Sequence, residues 1–502
     1  MMTRLAALSL LLLVAGFRQA SSSGTLIQHA LLIDGSGAAA RRADVRIVGD
    51  RVVGVGQLAP AAGETVVDAE GLVLAPGFID THSHHDRGLD AARDGLAMVS
   101  QGVTTIVAGQ DGGGSNLAAL FTRLEQRPAA VNVASYAGHG TIRDAVMGKA
   151  FARHATADEI ERMKALVKIE MDAGALGLST GLEYDPGIYS APDEIVALAK
   201  VAADAGGRYT SHIRSEDRWF WQALDEAIAI GRVNRMPVQI SHIKLGMRDL
   251  WGQAEKVIGI LDRARASGVE VSADIYPYTY WSSNLGVLYP KRNYADAVET
   301  DFVLAHVSLA SEIVFSRFAA HPDYTGKTLA DVASQRGTSA AKTLMDLLAE
   351  PGGEDAGIVA RGMSDADVER LVQWRHANIC SDGQSASLHP RGFGSFTKVM
   401  GSYVRDRKLF SLEEAIRKSS SLAAANAGLS RRGLVAADYF ADLVLFDPAV
   451  IADRADFGKA QAPSVGVRAV WVNGQIVFKD GTTTGAHPGR PLRRDRLIRS
   501  GL

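Results

Sequence analysis

Two imidazoles two residues apart, His82 and His84, close the apolar run Val73-Leu-Ala-Pro-Gly-Phe-Ile-Asp-Thr-His-Ser-His-His-Asp86. Residues i and i+2 of a strand point to one side, so both rings can reach a single ion. Neutral imidazole is a good zinc ligand, although two surface histidines in a turn would read the same way in isolation. Two further histidines share one local pattern, His212 in Thr210-Ser-His-Ile213 and His242 in Ile240-Ser-His-Ile243. Four imidazoles at the ends of apolar runs are the donor set of a zinc-type site. Asp382, in Ser381-Asp-Gly383, is the candidate proton carrier. A carboxylate beside a metal-activated water accepts its proton and later delivers it to a leaving nitrogen. The Asp-Gly pair taken alone also fits an Asx turn. Lys244 and Arg391 are the cations placed to hold an anionic substrate, the arginine as a bidentate fork. A solvated surface charge is the equal alternative for each. No G-x-S-x-G elbow is present, and Cys380, in the strand-like run Ala377-Asn-Ile-Cys380, reads as a buried structural thiol rather than a nucleophile.

These residues need a scaffold that brings distant strand ends together. The middle of the chain alternates β-like and helical stretches, with eight β-like runs ending near His82, Asp111, His139, Thr180, His212, His242, Asp274 and Asp382. Helices are expected between them, for example over 158–172 and 192–205, the latter with Ser190 as an available cap. Eight strand–helix repeats predict an α/β fold, a (β/α)₈ barrel with its site at the C-terminal strand ends. A doubly wound open sheet is the competitor, but no G-x-G-x-x-G follows an early strand. Period-two alternation over 25–75, and again in Ala441-Asp-Leu-Val-Leu-Phe-Asp447 and Val467-Arg-Ala-Val-Trp-Val-Asn-Gly-Gln-Ile-Val-Phe478, predicts a small β-sandwich built from both chain ends. The expected organisation is a leader over 1–22, sandwich over 23–75, barrel over 76–430, and sandwich again over 431–502. The long stretch between Asp274 and Asp382 predicts an insertion at about 289–354 over the barrel mouth.

The 502 residues suffice for a large core, and 54 basic against 56 acidic residues argue against a nucleic-acid or polybasic membrane role. Arg4, the apolar run Leu5 to Phe17 and the small residues after it read as a cleavable secretory signal, which predicts a periplasmic or secreted protein. The apolar run is short for a membrane span, leaving an uncleaved anchor as the minor alternative. With one cysteine, the chain has no internal disulfide, and its stability must come from core burial.

Taken together, the motifs resemble the D-aminoacylase (N-acyl-D-amino-acid deacylase) group of the amidohydrolase superfamily. The resemblance rests on Pro76-Gly-Phe-Ile-Asp-Thr-His-Ser-His-His-Asp86, Gly102-Val-Thr-Thr-Ile-Val107, Gly174-Ala-Leu-Gly-Leu-Ser-Thr-Gly-Leu-Glu-Tyr-Asp-Pro-Gly187 and His212-Ile-Arg-Ser-Glu216. Ser241-His-Ile-Lys244, Asp274-Ile-Tyr-Pro-Tyr278, Ser381-Asp-Gly383, His389-Pro-Arg391 and Val472-Asn-Gly474 extend it. It implies a zinc-bearing barrel flanked by a β-sandwich, with His82, His84, His212 and His242 at the metal site and Asp382 as base, then acid. It implies that Lys244, Arg391 and Tyr184 hold a substrate carboxylate, while Tyr276 and Ser282 (Ser283, if the register slips by one) line the acyl and carbonyl side. The implied reaction is hydrolysis of a small N-acyl-D-amino acid to a carboxylate and the free D-amino acid.

One departure stands out. Where the group typically shows Gly-Asn-Cys-Gly with a zinc-binding thiolate, this chain reads Gly109-Gln-Asp-Gly112. Asp111 is therefore a candidate ligand, a bridge between two ions, or an orienter of a histidine. A carboxylate is a harder donor than a thiolate, so one or two Zn²⁺ ions are expected, with Mn²⁺ or Co²⁺ admissible. The same scaffold serves other bonds, and a cyclic amide, a D-residue dipeptide or a lactone is the alternative substrate. Ring-amide relatives often use a carboxylated lysine on strand four, and Ala175-Leu-Gly-Leu-Ser-Thr180 has none. A non-catalytic exported binding protein is the third reading, against which the full histidine set and Asp382 count.

Overall fold

The computed structural model describes residues 24–114 and 116–495. The leader expected over 1–22 lies outside the described residues. Eight strands build the centre: β1 (Phe78–Asp80), β2 (Val103–Ala108), β3 (Asn132–Ser135, resuming as Ala137–Gly138), β4 (Gly177–Gly181), β5 (Arg208–His212), β6 (Val238–Ile240), β7 (Val271–Ile275) and β8 (Ala377–Ile379). Neighbours pair in parallel around the ring. The seam between β8 and β1 closes just beyond the strand ends, where the Asp382 amide donates to His82 O at 2.8 Å and the His84 amide to Gly383 O at 3.0 Å. The expected (β/α)₈ barrel is therefore present.

Strands covered on both faces read as apolar runs, and β2, Val-Thr-Thr-Ile-Val-Ala, is buried throughout. The more polar β4 and β5 satisfy their hydroxyls inside the barrel, with Thr180 Oγ1 2.7 Å from Tyr209 Oη and 2.8 Å from Ser211 Oγ. The outer helices start where local chemistry permits. Ala157–Ala173 opens with a capping box between Thr156 and Glu159, and Pro192–Asp204 opens with a proline in its first turn. Ser190 does not cap that second helix. Its N-cap is Ala191, and the Ser190 hydroxyl instead donates to Gly187 O at 2.6 Å.

Both chain ends join one nine-stranded sheet, in which Leu443–Phe446 pairs with Val73–Pro76. Its core includes Ile27, Val45, Leu74, Leu443 and Trp471. Between β7 and β8 a three-stranded antiparallel sheet, Tyr280–Asn284, Gly357–Arg361 and Ile313–Arg317, packs over helices Leu329–Arg336 and Ala340–Ala349. This inserted unit is wider than 289–354. Tyr280–Asn284 pairs with Gly357–Arg361, so the sheet needs residues on both sides of the expected span. No helix among the described residues is long and apolar enough to cross a membrane.

Candidate metal centre and active site

The four histidines and Asp111 converge at the C-terminal mouth of the barrel, from the ends of β1, β2, β5 and β6. His84 Nε2 lies 3.1 Å from Asp111 Oδ2, while His82 Nε2 and His242 Nε2 lie 3.3 Å and 3.4 Å from Asp111 Oδ1. His212 Nδ1 faces His242 Nε2 at 3.1 Å. Among the described residues, the donor atoms of these side chains form one group of His82, His84, Asp111 and Asp382 and another of Asp111, His212 and His242, while His212 also joins Glu183 and Glu216 in a third, with all atoms in a group within 4.8 Å. Asp111 is common to the first two, where a bridging ligand would stand.

Backbone conformation aims these side chains. His242, Asp111 and Asp382 all have positive φ, 34°, 55° and 48°, a left-handed region that non-glycine residues enter at a cost. The turn is held from below at His242, whose amide donates to the buried Asp274 carboxylate. Next to Asp111, Gly112 has φ 73°, and a Cβ there would meet Gly181 N at 2.9 Å, so only glycine lets the β2 loop lie against β4.

The donor set fits a divalent cation. Asp111 Oδ1 is buried without a hydrogen-bond partner although two imidazole nitrogens face it. Burial would lower the pKa of His84, but hydrogen bonds and charge from Asp111 and Asp382 outweigh it and carry His84 up to about 9. Burial and the Lys244 charge act likewise on His242, yet Glu216, Asp382 and Asp111 bring it up to about 10. Burial would raise the pKa of Asp111, and the histidines around it hold the carboxyl well below the usual carboxylate range. The cluster thus favours positive charge, of the kind a divalent cation would supply.

Asp382 sits beside this cluster, its Oδ1 3.5 Å and 3.3 Å from His82 and His84 Nε2. Its Oδ2 pairs with Arg391 Nη1 at 2.6 Å. Burial opposes ionisation of Asp382, but Arg391 and the histidines more than offset it, so the group is a carboxylate at neutral pH. Arg391 in turn lies over the Tyr276 ring, 4.7 Å from its centroid, and the Tyr276 hydroxyl is buried without a partner. Tyr184 packs on the His212 ring at 4.4 Å. Lys244 Nζ reaches Glu216 Oε1 at 2.5 Å.

Two cavities meet at Tyr184, Ser282, Ser283, Asp382 and Arg391. A narrow one of about 50 Å³ runs past Lys244 to an apolar end made by Trp281, Val287, Leu288 and Val307. The other, about 460 Å³, is polar and opens past His84, Asp111, Asn284 and Gln384. Ser282 and Ser283 reach the site from the first strand of the inserted unit, not from the barrel. Of Trp219, Trp221 and Trp281, only Trp281 lines one of these two cavities. Trp219 is exposed, and Trp221 packs against Phe220 and Lys256. Cys380 is buried, and burial pushes its thiol well above the ordinary range, as a structural cysteine requires.

Two residues at the site were not read from the sequence. Glu183 Oε2 lies 2.8 Å from His212 Nε2, and Glu216 Oε1 lies 3.0 Å from His242 Nδ1. Burial would raise the pKa of Glu216, but His212, Lys244 and His242 hold it below the usual range. The available signals were Glu216 four residues after His212 and Glu183 beside Tyr184.

The amidohydrolase family profile matches residues 65–377 and 354–478. A D-aminoacylase of Alcaligenes xylosoxydans xylosoxydans is 37% identical over 93% of this chain and 97% of its own. An N-acyl-D-aspartate deacylase of the same organism is 37% identical over 93% of this chain and 94% of its own. The crystal structure of N-acyl-D-glutamate deacylase from Bordetella bronchiseptica, solved with zinc and a phosphonate mimic of the tetrahedral intermediate, superposes with a TM-score of 0.85 at 33% identity, over 93% of this chain and 99% of that one.

Proposed function

This chain belongs to the amidohydrolase family, in its D-aminoacylase group, and from that premise we propose that it hydrolyses the amide bond of N-acyl-D-amino acids. The products are a carboxylate and a free D-amino acid. One observation carries the reading: four imidazoles and Asp111 converge at the barrel mouth beside an ionised Asp382, with Lys244 and Arg391 at the same cavity.

Asp111, His212 and His242 would hold one zinc or like divalent ion, and His82 and His84 with Asp111 a second. When bound, such an ion supplies Lewis acidity, polarising the scissile carbonyl and making water a nucleophile near neutral pH. The residues of the chain do the remaining work. Lys244 and Arg391 grip the substrate carboxylate, and the unpartnered Tyr276 hydroxyl is a donor available on the carbonyl side. Ser282 and Ser283 line the walls where the two cavities join. Asp382, kept ionised by Arg391, accepts a proton from the attacking water at Oδ1 and delivers it to the amide nitrogen as the C–N bond breaks. β4 carries no lysine, so the ring-amide route gains no support from the site.

Export to the periplasm or medium is part of the proposal, supported by the leader-like composition of residues 1–22, and cell fractionation tests it. The activity is tested with a chirality-paired panel of N-acetyl amino acids, a ring amide and a D-residue dipeptide, with zinc, manganese and cobalt each supplied. Turnover of the N-acetyl-D compounds is the expected result. Equal rates on the L series, or turnover of the ring amide alone, would overturn it.

A further inference from the structure

Glu216 has no part in the proton transfers above, yet its carboxylate lies where the metal half-site and the grip on the substrate carboxylate meet. Oε1 is 3.0 Å from His242 Nδ1 and 2.5 Å from Lys244 Nζ, and Lys244 Nζ is itself 2.7 Å from His242 Nδ1. Lys244 and His242 are both buried.

An imidazole that binds a metal ion is neutral and carries one proton. His242 Nε2 faces Asp111 and His212, so its lone pair is free for an ion only when the proton sits on Nδ1. Two groups compete for Nδ1. Glu216 can only accept, which places the proton there and opens Nε2. Lys244 can only donate, which drives the proton to Nε2 and closes the metal-binding face. We propose that Glu216 is a positioning residue that decides this contest: it fixes the metal-competent tautomer of His242 and holds the Lys244 ammonium until a substrate carboxylate draws it away.

Glu183 provides an internal contrast. It meets His212 Nε2 at 2.8 Å but makes no hydrogen bond or ion pair to Lys244 or Arg391. Glu183 Oε1 also accepts from the Glu216 backbone amide at 3.4 Å, but of the two carboxylates only Glu216 links a ligand to a substrate cation. Binding of a carboxylate at Lys244 and binding of metal at His242 are then reciprocal effects. The substrate half of the inference rests on the proposed role of Lys244; the metal half does not.

The test measures zinc affinity of the purified full chain by chelator competition, together with kcat and KM for N-acetyl-D-leucine at saturating zinc. E216Q should lose roughly 10- to 100-fold in zinc affinity, the range for residues behind a ligand. Its KM should fall at least twofold, because Lys244 no longer has an anionic partner to leave. E183Q should lower zinc affinity with KM unchanged. In the double variant E216Q/K244M the competing donor is gone, and zinc affinity should recover several-fold over E216Q. K244M alone keeps the carboxylate and should bind zinc at least as tightly as the wild type.

Zinc affinity of E216Q within twofold of the wild type, a KM that rises, or no recovery in the double variant would overturn the inference. If E216Q does not fold, a tenfold loss of zinc affinity in K244M overturns it. Wild-type chain that binds zinc but leaves N-acyl-D-amino acids intact would sink the functional reading while the zinc comparisons stand.

Discussion

On the β1 side of the metal centre, His82 and His84 come from one H-x-H turn, and His82 Nδ1 is buried with no hydrogen-bond partner. On the β5–β6 side, His212 and His242 come from separate strands, and each meets a carboxylate with the ring nitrogen that points away from the centre. The ligand chemistry is the same, but the support behind it is not. A carboxylate behind an imidazole fixes its tautomer, orients the ring and raises its basicity. The half bounded by Asp111, His212 and His242 is therefore expected to hold the first ion, and the half bounded by His82, His84 and Asp382 a weaker second one.

The comparison can be broken at several points. The largest effect is expected from Asp382→Asn, which removes the proposed proton carrier beside the β1 half and should lower kcat about 10²- to 10⁴-fold. At least one ion per chain should remain by elemental analysis, because His212, His242 and Asp111 are untouched. A kcat within tenfold of the wild type would mean that Asp382 is not the base.

Removing the carboxylate shared by the halves comes next. Asp111→Ala should strip both, leaving less than one zinc per chain after gel filtration, whereas Asp111→Cys should keep metal and shift the preference from manganese towards zinc, as a softer donor does. Retention of two ions by Asp111→Ala would exclude a bridging role.

Sharper still is a direct contrast of ligands. His212→Ala should reduce zinc affinity at least tenfold more than His84→Ala, read by chelator competition. Equal losses would erase the distinction between the halves.

The smallest effects concern the substrate grip. Lys244→Ala should raise KM roughly 10- to 100-fold, in line with about 1.5–3 kcal/mol for a hydrogen bond to a charged group. Metal affinity should not fall with it. Arg391→Ala should raise KM and lower kcat together, because Arg391 also keeps Asp382 ionised. An effect of Arg391→Ala on KM alone would separate the two cations from one another.

Much of this arrangement was legible in the residues. The H-x-H turn, the twin Ser-His-Ile segments and the eight polar-ended apolar runs announced a barrel with a metal site at its mouth. Asp111 was legible as a departure, because a carboxylate stands where a thiolate was expected. Glu183 and Glu216 were not, although both lie inside motifs that were quoted for other residues. Their role exists only where the ends of β4, β5 and β6 come within hydrogen-bond reach. Ser190 shows the same limit at small scale: as a serine just before a helix it looked like a cap, yet its hydroxyl found the Gly187 carbonyl instead. The inserted unit began earlier than expected because strand pairing with the distant Gly357–Arg361 drew Tyr280–Asn284 out of the barrel.

The amino-acid sequence by itself determined which donors are available, which side of each strand they take and how many strands carry them, since these follow from residue type and a period of two. Only the tertiary structure decided which nitrogen of each imidazole faces the centre, which carboxylate stands behind it and which cations line the cavity. Those choices are made by close contacts between residues far apart in the chain, such as Asp382 with His82 at 3.5 Å. Spacing along a chain sets direction, but not the partner met across a barrel.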